Sequence, residues 1–317
     1  MSAPPLLVLG VRRSGTTLLR IVLDRHSQLA IPDESYFVPQ LAGRQRDPIE
    51  VGAFVDDLRR LKTLRDWDVS VEDVRARLTS GMPLGGAIAA VYETYAADRG
   101  KSRWGDKTPM YMQHLPLLER LFPDALYVHL IRDGRDAAVS FLGMPEGIVT
   151  KTWAHPHTAA DFACEWRAEV KAGQALGDRV GQGRYLEVRY EALVADAAAE
   201  VERICEFAGL PFEPAMIDYA GQVDVSAKPH QQSLTRPPTP GLRNWRSELG
   251  PEDVAAFEAV AGDLLAELGY EIAFDRRRSL SAHARRAAYR VRVSAWLAAS
   301  AALRRSPAWK RRHPPLS

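Results

Sequence analysis

The sequence predicts an α/β fold: a P-loop-like parallel sheet flanked by helices, followed by a basic C-terminal extension. Short apolar runs at Leu6–Leu9, Leu126–Ile131 and Tyr185–Val188 read as buried strands, and helical stretches separate them. Two of these strands run directly into a glycine-bearing turn and then into a helical pattern, the order that places ligands at strand ends in a doubly wound sheet. With 317 residues and 46% apolar content the chain can bury one substantial core plus an extension, and it carries no internal repeat.

The first strand leads into Gly10-Val-Arg-Arg-Ser-Gly15-Thr16-Thr17, which has the Gly-x-x-x-x-Gly spacing of a phosphate-cradling loop. Its glycines let backbone N–H groups turn toward an anion, and the helix starting near Thr17 points its positive end at the same place. Thr16 stands where nucleotide-hydrolysing loops carry the lysine that reaches the β- and γ-phosphates. The cations come instead from inside the loop, as Arg12 and Arg13, which fits an anion bound without a metal. A tight strand-to-helix turn with no ligand is the competing account of the glycines.

The second strand, Leu126–Ile131, ends in Arg132-Asp-Gly-Arg-Asp-Ala-Ala-Val-Ser140, which turns into a helix. Local ion pairs, Arg132 with Asp133 and Arg135 with Asp136, would explain these charges structurally; a second strand-end anion site would explain them functionally. The third strand is followed by Tyr190-Glu191-Ala-Leu-Val and a helix from about Glu200 that stops at Gly209-Leu-Pro. Residues 48–100, rich in Arg, Asp and Ala, read as helices outside the sheet.

Arg13-Ser-Gly-Thr-Thr-Leu-Leu-Arg20, with Leu23-Asp-Arg-His26 and Pro32-Asp-Glu34, closely resembles the 5′-phosphosulfate loop of sulfotransferases, with the best match to tyrosylprotein sulfotransferases and their bacterial relatives. The resemblance runs from residue 5 to about residue 270 and implies the sulfotransferase fold, use of 3′-phosphoadenosine 5′-phosphosulfate (PAPS) and no metal. It implies that Arg12, Arg13, Ser14, Gly15, Thr16 and Thr17 hold the 5′ end of PAPS, that Arg132 and Ser140 hold its 3′-phosphate, and that Tyr190 lies near adenine. Tyr190 also reads as a core aromatic. The Pro-rich stretch Thr235–Arg246 corresponds to a loop that closes over the 3′-phosphate; its Gly-Leu-Arg-Asn-Trp-Arg ending echoes the family, the family's Arg-Lys-Gly triplet is missing, and Arg236 and Arg243 are the candidate cations.

Sulfuryl transfer needs an in-line acceptor, a base for its proton and a cation where charge builds on the leaving oxygen. By resemblance Glu34 is the base, although the family's Gly-Glu-Glu-Thr reads Pro-Asp-Glu-Ser here. Lys107, in Trp104-Gly-Asp-Lys-Thr-Pro, is the cation at the transferring group together with Arg13, while Asp106 reads as an ion-pair partner of Lys107. None of the eight histidines stands in a matching motif: His129 reads as core, His26 belongs to a helix end, and His155 and His157 sit in the insert from Gly143 to Ala160 that has room to shape the acceptor pocket. The acceptor is expected to bear a hydroxyl, on a carbohydrate, lipid, small metabolite or peptide tyrosine, since the regions that would select it carry no motif. The rival readings are a nucleotide-dependent phosphotransferase, disfavoured by the missing lysine, and a non-catalytic membrane-associated nucleotide-binding protein.

Two cysteines without a secretory leader or metal-ligand spacing, and no apolar run near the ~20 residues a membrane span requires, predict a cytoplasmic enzyme. The net charge of +2 conceals an asymmetry: residues 276–317 hold twelve Lys/Arg and no Asp/Glu, which leaves 30 basic against 40 acidic residues in 1–275. The expected division is therefore a sulfotransferase domain, 1–275, and a basic tail, 276–317, that either docks on the body or is drawn to the anionic inner membrane surface, with Trp296 and Trp309 at headgroup level. No interleaved basic and aromatic platform for nucleic acid is present in the sequence.

Overall fold

A computed structural model of the chain describes residues 3–145, 154–219, 244–274 and 280–305. Five parallel strands, β1 (Leu6–Leu9), β2 (Leu29–Ala30), β3 (Arg103–Asp106), β4 (Leu126–Ile131) and β5 (Tyr185–Arg189), form one sheet in the order β2-β3-β1-β4-β5. Helix α1 (Thr16–Asp24) follows the first loop. Short helices α2 (Val38–Ala42), α3 (Val51–Leu58), α4 (Lys62–Asp66) and α5 (Val71–Arg77) lead to α6 (Leu84–Ala97), and α7 (Leu115–Leu121) lies between β3 and β4. After β4 come α8 (Gly134–Leu142) and the long α9 (Ala159–Val180); after β5 come α10 (Tyr190–Ala195), α11 (Ala197–Ala208), α12 (Trp245–Glu248), α13 (Pro251–Glu267) and α14 (Leu280–Arg305).

The strand alternation divides the core between the two faces of the sheet. Leu7, Leu9 and Tyr127 point to the side covered by α3, α5, α6 and α7, whereas Leu6, Val8, Leu126, Val128 and Leu130 point to the side covered by α1 and α11. On the first side a chain of aromatics, Phe37, Trp67, Tyr92, Trp104 and Phe122, packs with centroids 4.5–5.6 Å apart. A third cluster joins α8, α9 and α13 around Trp166 and Phe257. Because β2 and β3 lie on one side of β1 and β4 and β5 on the other, the strand order reverses at β1 and a crevice opens at its carboxyl end.

Two of the five strands lie outside the three apolar runs that the sequence singles out. β2 is only two residues long, and β3 is Arg-Trp-Gly-Asp, whose charged ends are buried because each finds partners elsewhere: Arg103 donates to the carbonyls of Pro4 and Ala208. Within the basic extension, α14 (Leu280–Arg305) is docked on the body, and Trp309 lies outside the described residues. Tyr289 of α14 is buried against α9, Arg292 pairs with Asp161 at 2.9 Å, and Arg286 donates to the Val260 carbonyl. Among the described residues no helix is long and apolar enough to cross a membrane.

Gly105 lets β3 approach β1 closely enough to set the next two residues at the crevice. A Cβ there would lie 2.5 Å from the Leu6 carbonyl oxygen and 3.0 Å from Ile31 Cγ1. Gly105→Ala is expected to cost about 1–3 kcal/mol by overpacking, seen as a lowered midpoint in thermal melts.

Candidate functional site

The loop after β1 is shaped by two close approaches and two left-handed residues. A Cβ on Gly10 would meet Thr16 Cγ2 at 2.7 Å and the Leu130 carbonyl oxygen at 2.8 Å, so only glycine lets the loop leave between β1 and β4. Arg13 (φ 68°) and Gly15 (φ 92°) turn the backbone, and Ser14 N donates to the Val11 carbonyl at 3.1 Å. Successive amides of this kind, followed by the start of α1, form an anion-binding concavity. The Tyr190 ring covers Gly15, where a Cβ would lie 2.4 Å from it.

The end of β4 meets this loop from the other side. Arg13 Nε donates to Ser140 Oγ at 2.9 Å, and Arg132 donates to the Arg13 carbonyl at 3.3 Å while its guanidinium lies 4.5 Å over the Tyr190 ring. Arg13, Ser140, Arg132 and Tyr190, separated by up to 177 positions in sequence, thus form one cluster. Two buried polar atoms around it, Ser14 Oγ and Arg132 Nε, have no hydrogen-bond partner among the described residues, and both can donate.

The two arginines after β4 have different tasks. Arg135 is enclosed by Asp133, at 2.7 Å, and Glu258, at 2.5 Å, and stacks 3.8 Å from the Trp245 ring, so its charge is spent on structure. Among the described acids, Arg132 has only Asp136, at 3.9 Å. Burial pushes the Asp136 carboxyl up to about 6, opposed by the Trp245 N–H it accepts at 2.9 Å and by the Arg132 charge. That bond anchors Trp245, the tryptophan of the Gly-Leu-Arg-Asn-Trp-Arg stretch. Arg236 and Arg243 lie outside the described residues.

Glu34 and Lys107 come together at the ends of β2 and β3. Lys107 Nζ, 2% exposed, lies 2.5 Å from Glu34 Oε1 and 3.3 Å from Thr17 Oγ1 at the start of α1. Burial pulls the lysine pKa down and the Glu34 carboxylate partly restores it. Arg20 of α1 fixes the turn before Glu34 by bonding the Ile31 carbonyl at 3.3 Å and Asp33 at 3.2 Å. Tyr36, in the left-handed region at φ 55°, donates to the other oxygen of Glu34.

Asp106 does not serve as the partner of Lys107. Strand alternation sends it to the opposite face, where Oδ2 accepts from Ser35 Oγ and Tyr92 OH, each at 2.8 Å; Ser35 Oγ also meets Tyr111 OH at 2.6 Å, and Ser35 N donates to Thr108 Oγ1 at 3.0 Å. This buried network ties the residue after Glu34 to the residues on both sides of Lys107. Arg12, the other loop cation, turns away from the concavity and rests 2.7 Å from Glu165 of α9, over the Phe141 ring at 5.3 Å. His129 is a core residue: Nδ1 bonds Tyr185 OH at 2.6 Å and burial lowers its pKa to about 3. His26 likewise bonds the Pro211 carbonyl, at 2.9 Å.

Burial raises the Asp106 carboxyl to about 6, opposed by the Ser35 and Tyr92 donors. Since the folded value is above the ordinary 3.8, the native state holds the extra proton, and stability falls as pH rises through the window from 3.8 to about 6. Asp106→Asn is expected to reduce that fall by up to about 3 kcal/mol, measured by denaturant melts across the window.

A sequence profile described as the sulfotransferase family matches residues 4–214. Protein-tyrosine sulfotransferase A of Caenorhabditis elegans is 26% identical over 278 residues, covering 85% of this chain and 68% of that protein. Nodulation protein NoeE of Sinorhizobium fredii is 29% identical over 304 residues, covering 86% and 67%. Among solved structures, the sulfotransferase domain from the Synechococcus PCC 7002 olefin synthase superimposes with a TM-score of 0.58 at 24% identity, over 86% of this chain and 97% of that one, which supports the fold. With the two strand-end loops and the Glu34–Lys107 pair in place, these matches identify the chain as a member of the sulfotransferase family.

Proposed function

We propose that the chain transfers a sulfuryl group from PAPS to a hydroxyl acceptor without a metal, with Glu34 as base. The observation that carries this reading is the Lys107 ammonium, which bridges Glu34 to Thr17 of the 5′ loop and so gathers base, cation and anion cradle in one contact chain. PAPS supplies the sulfuryl group and leaves as adenosine 3′,5′-bisphosphate. The loop amides, Ser14, Thr16, Thr17 and Arg13 hold its 5′ end; Arg132, through the partnerless Nε, and Ser140 hold the 3′-phosphate; Tyr190 offers its ring to adenine. Arg236 and Arg243 are assigned to closing over the 3′-phosphate.

Glu34 receives the acceptor's proton at one carboxylate oxygen, while Tyr36 and Lys107 fix the direction of that carboxylate. Lys107 and Arg13 place positive charge where negative charge grows on the departing oxygen, and Lys107, being buried, acts there with little water to screen it. The acceptor hydroxyl belongs to a carbohydrate, lipid, small metabolite or peptide tyrosine; the names of the protein-tyrosine sulfotransferase relatives support the last of these. We assign the work to the cytoplasm, with residues 1–275 as the catalytic domain and the basic tail available to an anionic membrane surface.

Incubation with radiosulfur-labelled PAPS and a panel of sugar, lipid, phenol and peptide acceptors is the direct test, and absence of labelled product from every acceptor would remove the reading. Arg132→Ala is expected to weaken adenosine 3′,5′-bisphosphate by about 2–4 kcal/mol in calorimetry and to leave adenosine 5′-phosphosulfate, which lacks the 3′-phosphate, nearly unchanged. Glu34→Gln should bind PAPS as before and lower kcat by roughly 10²–10⁴. Retained turnover in that variant would move the base to another residue.

A further inference from the structure

A cavity of about 640 Å³ lies between α9 and the docked C-terminal helix α14, behind Arg12 of the 5′ loop. Its size is that of a small-molecule site. Glu34 and Lys107 do not line it; its inner end is formed by Arg12, Gln113, Glu165 and Glu169, and its outer wall by Tyr289, Val293 and Trp296 of α14.

The two glutamates stand one helical turn apart on the same face of α9 and are only 7% and 8% exposed. Among the described residues a single guanidinium, that of Arg12, lies against them. Glu165 Oε2 accepts from Tyr289 OH at 3.0 Å, but Oε1, although 2.7 Å from Arg12 Nε, is out of line with its N–H and receives no hydrogen bond. Glu169 has the neutral side chain of Gln113 as its hydrogen-bond partner. Burial raises the pKa of both carboxyls, and the charge of Glu165 raises that of Glu169 further. With both carboxyls ionised, the inner end has, among the described residues, one guanidinium for two negative charges.

The remaining cations around the cavity are mostly answered by acids on α13. Arg167 and Arg286 pair with Asp263, and Lys171 pairs with Glu267 at 2.8 Å. Arg290 is exposed, and His155, His283 and the buried Cys164 thiol complete the described ionisable lining.

We propose that this cavity binds an organic cation, a primary ammonium or guanidinium on an apolar body. Its N–H groups bond Glu165 Oε1, which pairs with Arg12 without a hydrogen bond, and the Glu169 carboxylate, and its apolar portion lies against Val293 and the rings of Tyr289 and Trp296. The extension is then a wall of a ligand site, and the inference stands independently of sulfuryl transfer.

The test is calorimetry on the full-length protein without PAPS, using 4-phenylbutylamine beside its alcohol and carboxylate counterparts. The amine is expected to bind at least about tenfold tighter than either, and to tighten between about pH 6 and about pH 9 as its binding drives a proton off the glutamate pair. Glu169→Gln should weaken the amine about tenfold and remove its pH dependence, while Trp296→Ala should weaken amine and alcohol alike. Equal or tighter binding of the carboxylate or alcohol to the unmodified protein, no amine binding, or a Glu169→Gln variant with unchanged affinity and pH profile would each overturn the proposal.

Discussion

A buried ammonium has to be answered by a carboxylate, and the arrangement of the crevice follows from that demand at Lys107. Moving an unpaired charge out of water costs several kcal/mol even after relaxation, so a lysine 2% exposed at the end of β3 stays charged only if an acid is delivered to it. The acid is Glu34, and the structure spends several interactions on delivering it. Arg20 holds the turn before it, Ser35 is tied to Asp106, Thr108 and Tyr111 after it, and Tyr36 adopts an unfavourable backbone conformation that brings its hydroxyl back to the carboxylate. The same ammonium reaches Thr17, so pairing the lysine also sets the distance between β2, β3 and the glycine loop after β1.

The rule operates in reverse at the end of β4, where one arginine is incompletely paired among the described residues. Arg135 has two carboxylates and an aromatic face, and nothing is left for a ligand to gain there. Arg132, three residues earlier and nearly as buried, has a carbonyl, a ring and a distant carboxylate, with Nε unsatisfied. Burying a guanidinium with so little counter-charge is unfavourable in the ligand-free protein, and a phosphate would relieve it. Charge spacing alone gives the two arginines equal standing, because each has an aspartate close by, and only the family resemblance singles out Arg132. The distinction depends on Glu258, more than a hundred residues away.

What the sequence made legible is what lies within a few consecutive residues. Glycine spacing, a strand before it and a helix after it are local, and so the loop at Gly10–Thr17, the Arg132–Ser140 segment and the stop at Gly209, which does adopt the left-handed conformation at φ 67°, could be read directly. β3 could not, since a four-residue strand bounded by Arg and Asp has no apolar signature; its burial rests on Pro4, Ala208, Ser35 and Tyr92. The hydrogen-bond partners of Asp106 are hidden from the sequence for a related reason. Adjacency to Lys107 suggests a pair, and only the assignment of Asp106 to a strand reveals that neighbours point to opposite faces.

The C-terminal extension shows how charge counting averages over what matters. Twelve cations without an acid describe a basic segment, yet α14 touches the body through Tyr289, Arg286 and Arg292, whose partners Glu165, Val260, Asp263 and Asp161 belong to α9 and α13. Some of the acidic excess of residues 1–275 and some of the basic excess of the extension therefore face each other across a single interface. That interface also explains why Arg12, a cation of the phosphate loop by sequence, faces away from the concavity. Glu165 is shared between Arg12 and Tyr289, so the loop leans on α9 and α9 leans on α14. The position of the loop's first arginine is thus set by a tyrosine 277 residues further along the chain, a coupling with no local trace in the sequence.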